Sequence, residues 1–473
     1  MSDVNTLTSS SLESPLSGNS LESNASSTSS ISILQSFQDW WSSPRSLMNE
    51  NNSELQEDSE QLRQAKQRNR KIEYELFRTM LPSEIYLYEP DKPELETKVP
   101  IYGKLLDIEL KDGNSIHEFY LENNSDPHAK DQHIVIIHGY MAAMGYFIKN
   151  VETLIKIPGV RLHFIDLPGF GNSSRPKFPS EFLIEHENLK DKISQVLEIE
   201  NWFIDKIENW RMQRDISKFK LIGHSMGGYL SCCYLLKYNH NKMVEDVILV
   251  SPMGTESSEA SLINNKDHQV NFHNDPFGEL HFENKEGEDI IITEELTTFW
   301  KTIGQPKFPK SWIIEKLWST NKSPFEVLQF LGPFYSKILS FWSFRRFKNF
   351  GNDSDTTEMI MKLHNYSYSI FNQYQGSGEV AITRLINHEV LAKLPLCNRG
   401  LVEFFVENEI RSLWVYGDKD WMNKNGGQYI SDEINKRKKG LSSFKVIENA
   451  GHHLYLDNPK IFNDLVVEFF RLR

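Results

Sequence analysis

From Tyr102 to Glu122, apolar and polar residues alternate on either side of Lys111-Asp112-Gly113-Asn114. Strict alternation suits strands with one buried face, and Asp-Gly between two such runs suits a tight turn, so the pattern predicts a hairpin. Beyond it the pattern changes to short, nearly continuous apolar runs at His133–His138, Val160–Asp166, Phe219–Gly223, Asp246–Ser251, Arg411–Tyr416 and Ser443–Glu448. Stretches of helical period follow several of them, notably Met144–Lys156, Glu185–Arg211 and Ser225–Lys237. An antiparallel start followed by strand–helix–strand units predicts an α/β fold with a mostly parallel central sheet and helices on both faces. The distance from Ser251 to Arg411 is far too long for a loop and predicts a large inserted cap.

The N-terminal part has no such periodicity. Residues 1 to about 35 are rich in Ser and Asn and cannot bury enough apolar area to offset the entropy of ordering. Phe37, Trp40 and Trp41 stand out in this polar setting, ahead of a charged, helical-looking stretch from Glu54 to Met80. The Trp side chains either dock the helix on the domain or sit at a membrane interface, where amphipathic rings are favoured. The expected organisation is a disordered acidic tail over 1–60 and a helical segment over 61–94. A first core part over 95–255, a cap over 256–404 and a second core part over 405–473 follow.

Charge changes this picture in two places. The 473-residue chain has a formal net charge of -13, which gives no reason to expect a nucleic-acid partner. Residues 1–60 carry nine acidic residues against Arg45 alone, whereas residues 301–350 carry nine Lys/Arg against Glu315 and Glu326, with twelve aromatics interspersed. Within that basic stretch, Phe334–Phe350 suits either an ordinary cap helix with its rings turned inward or an anionic lipid interface. In the second case Arg345, Arg346 and Lys348 would hold headgroups and Trp342 would enter the acyl region beside Trp40 and Trp41.

The three cysteines, Cys232, Cys233 and Cys397, form no disulfide framework, which suits a reducing interior compartment. No apolar run reaches membrane-spanning length, so any membrane contact is expected to be peripheral. The first thirty residues hold Asp3, Glu13 and Glu22 without Lys or Arg, unlike a basic mitochondrial presequence. Cys and His spacing matches no metal site, so no metal is expected.

The chemistry is concentrated in Gly223-His224-Ser225-Met226-Gly227, between an apolar strand and an apolar helix. A nucleophile elbow needs this strand–turn–helix setting, with small residues allowing a strained turn that lifts the Ser225 hydroxyl clear of the sheet. A serine needs a base, and His452, after Gly451 and the last strand, fills that position. His453 is expected to point elsewhere. The orienting acid is expected in Gly417-Asp418-Lys419-Asp420, with Asp420 preferred and Asp418 the alternative. The oxyanion hole would take the Met226 N–H together with that of Tyr140 or Met141, in the loop after the strand His133–His138. Asp166–Ser173 reads as a structural exit from a strand.

These motifs resemble the α/β-hydrolase superfamily. The Gly451–Asp457 tail, His138–Gly145, Asp166–Ser173, the Trp414–Trp421 turn and Arg345-Arg346-Phe347 narrow the resemblance to its fungal cardiolipin-deacylase and lysophosphatidic-acid-acyltransferase-like branch, over roughly residues 70–473. The resemblance implies a phospholipid or lysophospholipid substrate, cardiolipin among the candidates, acyl-ester chemistry and no cofactor. It also implies a peripheral site on mitochondria or lipid droplets, although the acidic N-terminus leaves a mitochondrial or a cytosolic address open. The branch's H-x-x-x-x-D motif, here His452 to Asp457, is read elsewhere as an acyltransferase signature. Since Asp457-Asn458-Pro459 also suits a capped helix start, the structural reading of Asp457 is preferred. Hydrolysis, acyl transfer from acyl-CoA as co-substrate, and a non-catalytic lipid-binding regulator on the same fold all remain as expectations.

Overall fold

The computed structural model describes residues 30–43, 60–90, 99–263, 294–347, 354–373 and 376–472. The predicted hairpin forms from β2 (Ile101–Glu109) and β3 (Ser115–Asn123), after a two-residue strand β1 (Tyr86–Leu87). Tyr102 lies opposite Glu122, and the Leu110 N–H donates to the Asn114 carbonyl at 2.7 Å to close the turn. Gly113 supplies the left-handed residue there, at φ 79°.

The apolar runs become β4 (Gln132–Ile137), β5 (Val160–Ile165), β6 (Phe219–His224), β7 (Val244–Val250), β8 (Arg411–Gly417) and β9 (Ser442–Ile447). The nine strands make one sheet in the order β1-β2-β3-β5-β4-β6-β7-β8-β9. Only the pairings of β3 with β2 and with β5 are antiparallel. The inner strands are almost wholly apolar because they are enclosed above and below, with Ile134–Ile137 and Val247–Val250 at 2% exposure or less. This mostly parallel nine-stranded sheet, with its helices, has the α/β-hydrolase fold.

Residues 30–43 depart from the tail expected over 1–60, most of which lies outside the described residues. Helix α1 (Ile33–Trp41) is capped by the Ser32 hydroxyl, which accepts the Gln35 N–H at 3.1 Å. Its Phe37 makes an edge contact with Phe334 at 5.6 Å, so a few aromatics tie down a segment whose composition alone reads as disordered. The charged stretch becomes α2 (Glu60–Met80); residues 54–59 lie outside the described ones. Helix α2 is fastened to the hairpin by Phe77 stacked on Phe119 at 4.4 Å and by Glu73 bonded to His117 Nε2 at 2.7 Å. Asp107 takes the other ring nitrogen at 2.7 Å.

The crossover helices are α3 (Ile148–Ile155), α4 (Leu189–Gln213) and α5 (Met226–Tyr238). Between β7 and β8 the described elements are helical apart from the bridge of Ile386 with Ala392. They are α6 (Glu294–Ile303), α7 (Trp312–Ser319), α8 (Pro324–Gln329), α9 (Tyr335–Phe347), α10 (Ser354–Phe371), α11 (Ile382–Leu385) and α12 (Leu401–Glu407). Helices α13 (Lys424–Arg437), α14 (Leu454–Asp457) and α15 (Pro459–Phe470) complete the chain. No described helix is long and apolar enough to cross a membrane.

Candidate active site

Ser225 ends the run from β6 into α5 in a conformation that L-residues rarely adopt, φ 54° and ψ -117°. The local sequence forces this turn. A Cβ at Gly223 would collide with Ser231 and the Gly227 carbonyl, and one at Gly227 would collide with the carbonyl of His138. The Ser225 N–H is held by the Val250 carbonyl at 2.9 Å, and its own carbonyl accepts the Met253 N–H at 3.1 Å. The strained serine is therefore pinned between β6 and the end of β7.

Asp420 and His452 meet across the ends of β8 and β9. The imidazole Nδ1 lies 3.0 Å from Asp420 Oδ1, with the carboxylate 1% and the imidazole 11% exposed. The Met422 N–H donates to the same oxygen at 3.0 Å, and the Ser251 hydroxyl donates to Oδ2. Asp418, the alternative acid, is turned away: its Oδ1 accepts the Ala450 N–H at 2.9 Å and braces the turn before His452. That backbone hydrogen bond lowers its pKa below the usual carboxylate value. Among the described residues no hydrogen bond joins the Ser225 hydroxyl to His452, but His224, next to Ser225 in the chain, contacts His452 directly. His224 Nε2 donates to the His452 carbonyl at 3.0 Å, and the two rings lie 4.8 Å apart.

Around His452, His224 is buried, while Trp421 and His453 are half-buried. Trp421 lies 4.7 Å from the imidazole on one side. His453 turns inward toward Tyr146, at 6.0 Å. Burial, with the neighbouring histidines adding to it, depresses the pKa of His224 and His453 well below the ordinary imidazole value, so both are neutral near pH 7.

The loop His138–Met141 is held close to the serine. A Cβ at Gly139 would stand 2.8 Å from Ser225 Cβ and 2.8 Å from His224 Nδ1, so only glycine lets the loop approach so nearly. Met141 takes a positive φ of 51°, and the Tyr140 hydroxyl donates to the Glu379 carbonyl at 2.9 Å. Among the described residues the N–H groups of Tyr140, Met141 and Met226 find no protein acceptor. Beneath the loop, His138 Nδ1 donates to the Gly139 carbonyl at 2.8 Å and Nε2 accepts the Leu167 N–H at 2.9 Å. Asp166 accepts the N–H groups of Met144 and Asn172 at 2.9 and 2.8 Å. Burial, helped by Glu73, pushes its carboxyl up to about 7. The segment Asp166–Ser173 thus braces the loop and lies behind the site.

The proposed lipid-contact residues divide. Trp41 is 62% exposed and Trp342 40%, Arg345 is exposed and Trp40 is half-buried. Arg346 departs from the expectation: its guanidinium turns inward and pairs with Asp457, because the helical period that exposes Arg345 carries the next residue round toward the core. Lys348 lies outside the described residues. Asp457 does not cap α15; Asn458 does, through the Ile461 N–H at 3.5 Å. Among the described residues no group of three or more His, Cys, Asp or Glu side chains is placed to hold a metal ion.

Ser251 and His224 escaped the sequence reading. Ser251 directly follows β7 in a positive φ of 45°, at the sheet edge where ligands of such folds bind, and a polar residue at that edge was the available signal.

Known proteins are similar to this chain over part of its length. Residues 132–288 match a family model described as alpha/beta hydrolase fold. Protein ECM18 of Saccharomyces cerevisiae is 28% identical over 75% of this chain and 74% of its own. A probable 1-acylglycerol-3-phosphate O-acyltransferase of Oryza sativa subsp. japonica is 27% identical over 70% of this chain and 66% of its own. The (lyso)-N-acylphosphatidylethanolamine lipase of Bos taurus is 26% identical over 71% of this chain and 78% of its own.

Proposed function

Because the chain belongs to the α/β-hydrolase superfamily, we propose that it is a serine-nucleophile enzyme acting on acyl esters of phospholipids or lysophospholipids. The observation that carries this reading is the contact of His452 Nδ1 with the buried Asp420 carboxylate at 3.0 Å, beside a serine held at φ 54°. An imidazole so oriented offers its Nε2 to a hydroxyl. Ser225 attacks the ester carbonyl as His452 takes its proton, and the free N–H groups of Met226 and of Tyr140 or Met141 receive the oxyanion. His452 then returns the proton to the departing lipid oxygen, leaving an acyl-serine. Water, activated by the same imidazole, releases the fatty acid and regenerates the serine.

Acyl transfer is the second reading, favoured by relatives named as 1-acylglycerol-3-phosphate O-acyltransferases. In that case acyl-CoA loads the serine and a lysophospholipid hydroxyl resolves it. A lipid surface suits either reaction. Trp41, Phe334, Phe341 and Trp342 are 40–62% exposed on α1, α9 and the turn between α8 and α9, with Lys337 and Arg345 among them.

A fluorophosphonate probe should label the wild type and not Ser225→Ala. Product mass spectrometry on phospholipid vesicles, cardiolipin-containing ones included, with and without lysophosphatidic acid and acyl-CoA, separates the two reactions. Folded wild-type protein that takes no label would favour the non-catalytic regulator.

A further inference from the structure

We propose that Asp457 and Arg346 form a clamp through which the inserted helix α9 sets the position of the loop carrying His452, making Asp457 a positioning residue. This inference rests on the reading of His452 as the base. The sequence places Asp457 five residues after His452, the spacing of an acyltransferase signature, but the structure gives its oxygens other work. Oδ2 accepts the Gly451 N–H at 2.8 Å, the residue immediately before the base. Oδ1 pairs with the Arg346 guanidinium. The His452 Nδ1 is already engaged by Asp420, so Asp457 is no second acid for that imidazole.

The segment between the two ends is stiff. The N–H groups of Leu456 and Asp457 both donate to the His453 carbonyl, at 2.8 and 3.1 Å, winding the chain into α14 directly after the base. A shift of Asp457 must therefore move Gly451 and His452 with it. The other end is equally fixed: Arg346 lies between buried Ser343 and Phe347, and the Phe347 ring contacts Tyr146 at 6.4 Å. The opposite face of α9 exposes Phe341 at 51%. One helix thus presents its outer face to the surroundings and grips the catalytic loop with its inner face.

The clamp is also electrostatic. The groups facing His452 are Asp420 after β8, His224 at the end of β6, His453 on its own loop and Trp421, which carries no charge. Arg346 bears on both His224 and His453, and Asp457 neutralises it. An unneutralised Arg346 would oppose an imidazolium at 452, and an unneutralised Asp457 would favour one.

The test uses the full chain, a soluble short-chain ester and phospholipid vesicles, with thermal melts confirming that each variant folds. Asp457→Asn should lower kcat for both substrates by about tenfold and move the acid limb of the pH–rate profile to lower pH by about half a unit. Arg346→Met should lower kcat similarly and move the limb to higher pH. The double variant should bring the limb back to its wild-type position, and Arg346→Lys should hold it there. A purely structural loss would not give limb movements of opposite sign. The clamp is overturned if both single variants leave kcat and the limb unchanged. It is equally overturned if Asp457→Asn abolishes acyl transfer alone and leaves hydrolysis intact. Fluorophosphonate labelling of the wild type keeps the tests apart, because a labelled enzyme with indifferent variants sinks only the clamp.

Discussion

His224 Nε2 donates to the backbone carbonyl of His452 at 3.0 Å, so the residue beside the candidate nucleophile holds the loop that carries the candidate base. The bond spans 228 residues and joins the ends of β6 and β9 across the site. Since the acceptor is a carbonyl, Nε2 must carry the proton, which suits a ring whose burial keeps it neutral.

His224→Phe removes this donor while keeping a buried ring. Its kcat on a soluble ester is expected to fall about tenfold with KM changed far less, because the loop loses its register and not its substrate contacts. Steady-state kinetics checks it, and an unchanged kcat would show that the bond is incidental.

Ser251 supplies the second brace, donating to the Asp420 oxygen that His452 does not use. A hydrogen bond to a charged acceptor contributes on the order of 2 kcal/mol, so Ser251→Gly should lower kcat by up to about thirtyfold. Glycine is the informative choice at this position, because Ser251 already has a positive φ and the substitution adds no backbone strain. Thermal stability measured alongside should fall by no more than about 2 kcal/mol, which separates the loss of rate from unfolding.

Gly227 separates the turn at Ser225 from the loop His138–Met141. A Cβ there meets the His138 carbonyl and the Ile137 backbone, neither of which can move without the sheet. Gly227→Ala should cost about 2–3 kcal/mol in urea unfolding and reduce serine labelling together with it. A fully stable, fully labelled variant would contradict the close approach.

His117 makes stability depend on pH far from the site. Burial alone would lower its pKa, but Glu73 and Asp107 at its two nitrogens overcome this and raise it to about 10. A group raised on folding contributes its full stabilisation below its unfolded value, near 6.5, and loses it as pH climbs through about 10. Urea titrations at several pH values should show wild type losing on the order of 3 kcal/mol more than His117→Gln across that window. Parallel pH curves for the two proteins would refute the linkage.

Much of this molecule was legible locally. The hairpin turn at Asp112-Gly113 and the apolar runs mark their strands within a residue or two, because alternation and continuous burial are properties of neighbouring positions. The elbow at Ser225 is legible for the same reason: Gly223 and Gly227 are steric requirements of a turn five residues long. Even the order of serine, acid and histidine along the chain is a matter of sequence.

What tertiary structure decided is which of several equivalent groups met. Asp418 and Asp420 are two positions apart and chemically alike, yet one braces a turn and the other reaches the imidazole, because side chains at that spacing on an irregular turn need not share a direction. Arg345 and Arg346 divide between solvent and core by the helical period of α9, read against a neighbour 111 residues away. Helix α1 is ordered by contacts with Phe334 and Lys337, which its own Ser-rich surroundings give no hint of. Short-range patterns specify backbone conformation, since its energetics are local; the pairing of buried charges depends on which surfaces the sheet brings together, and that is settled only when the whole chain has packed.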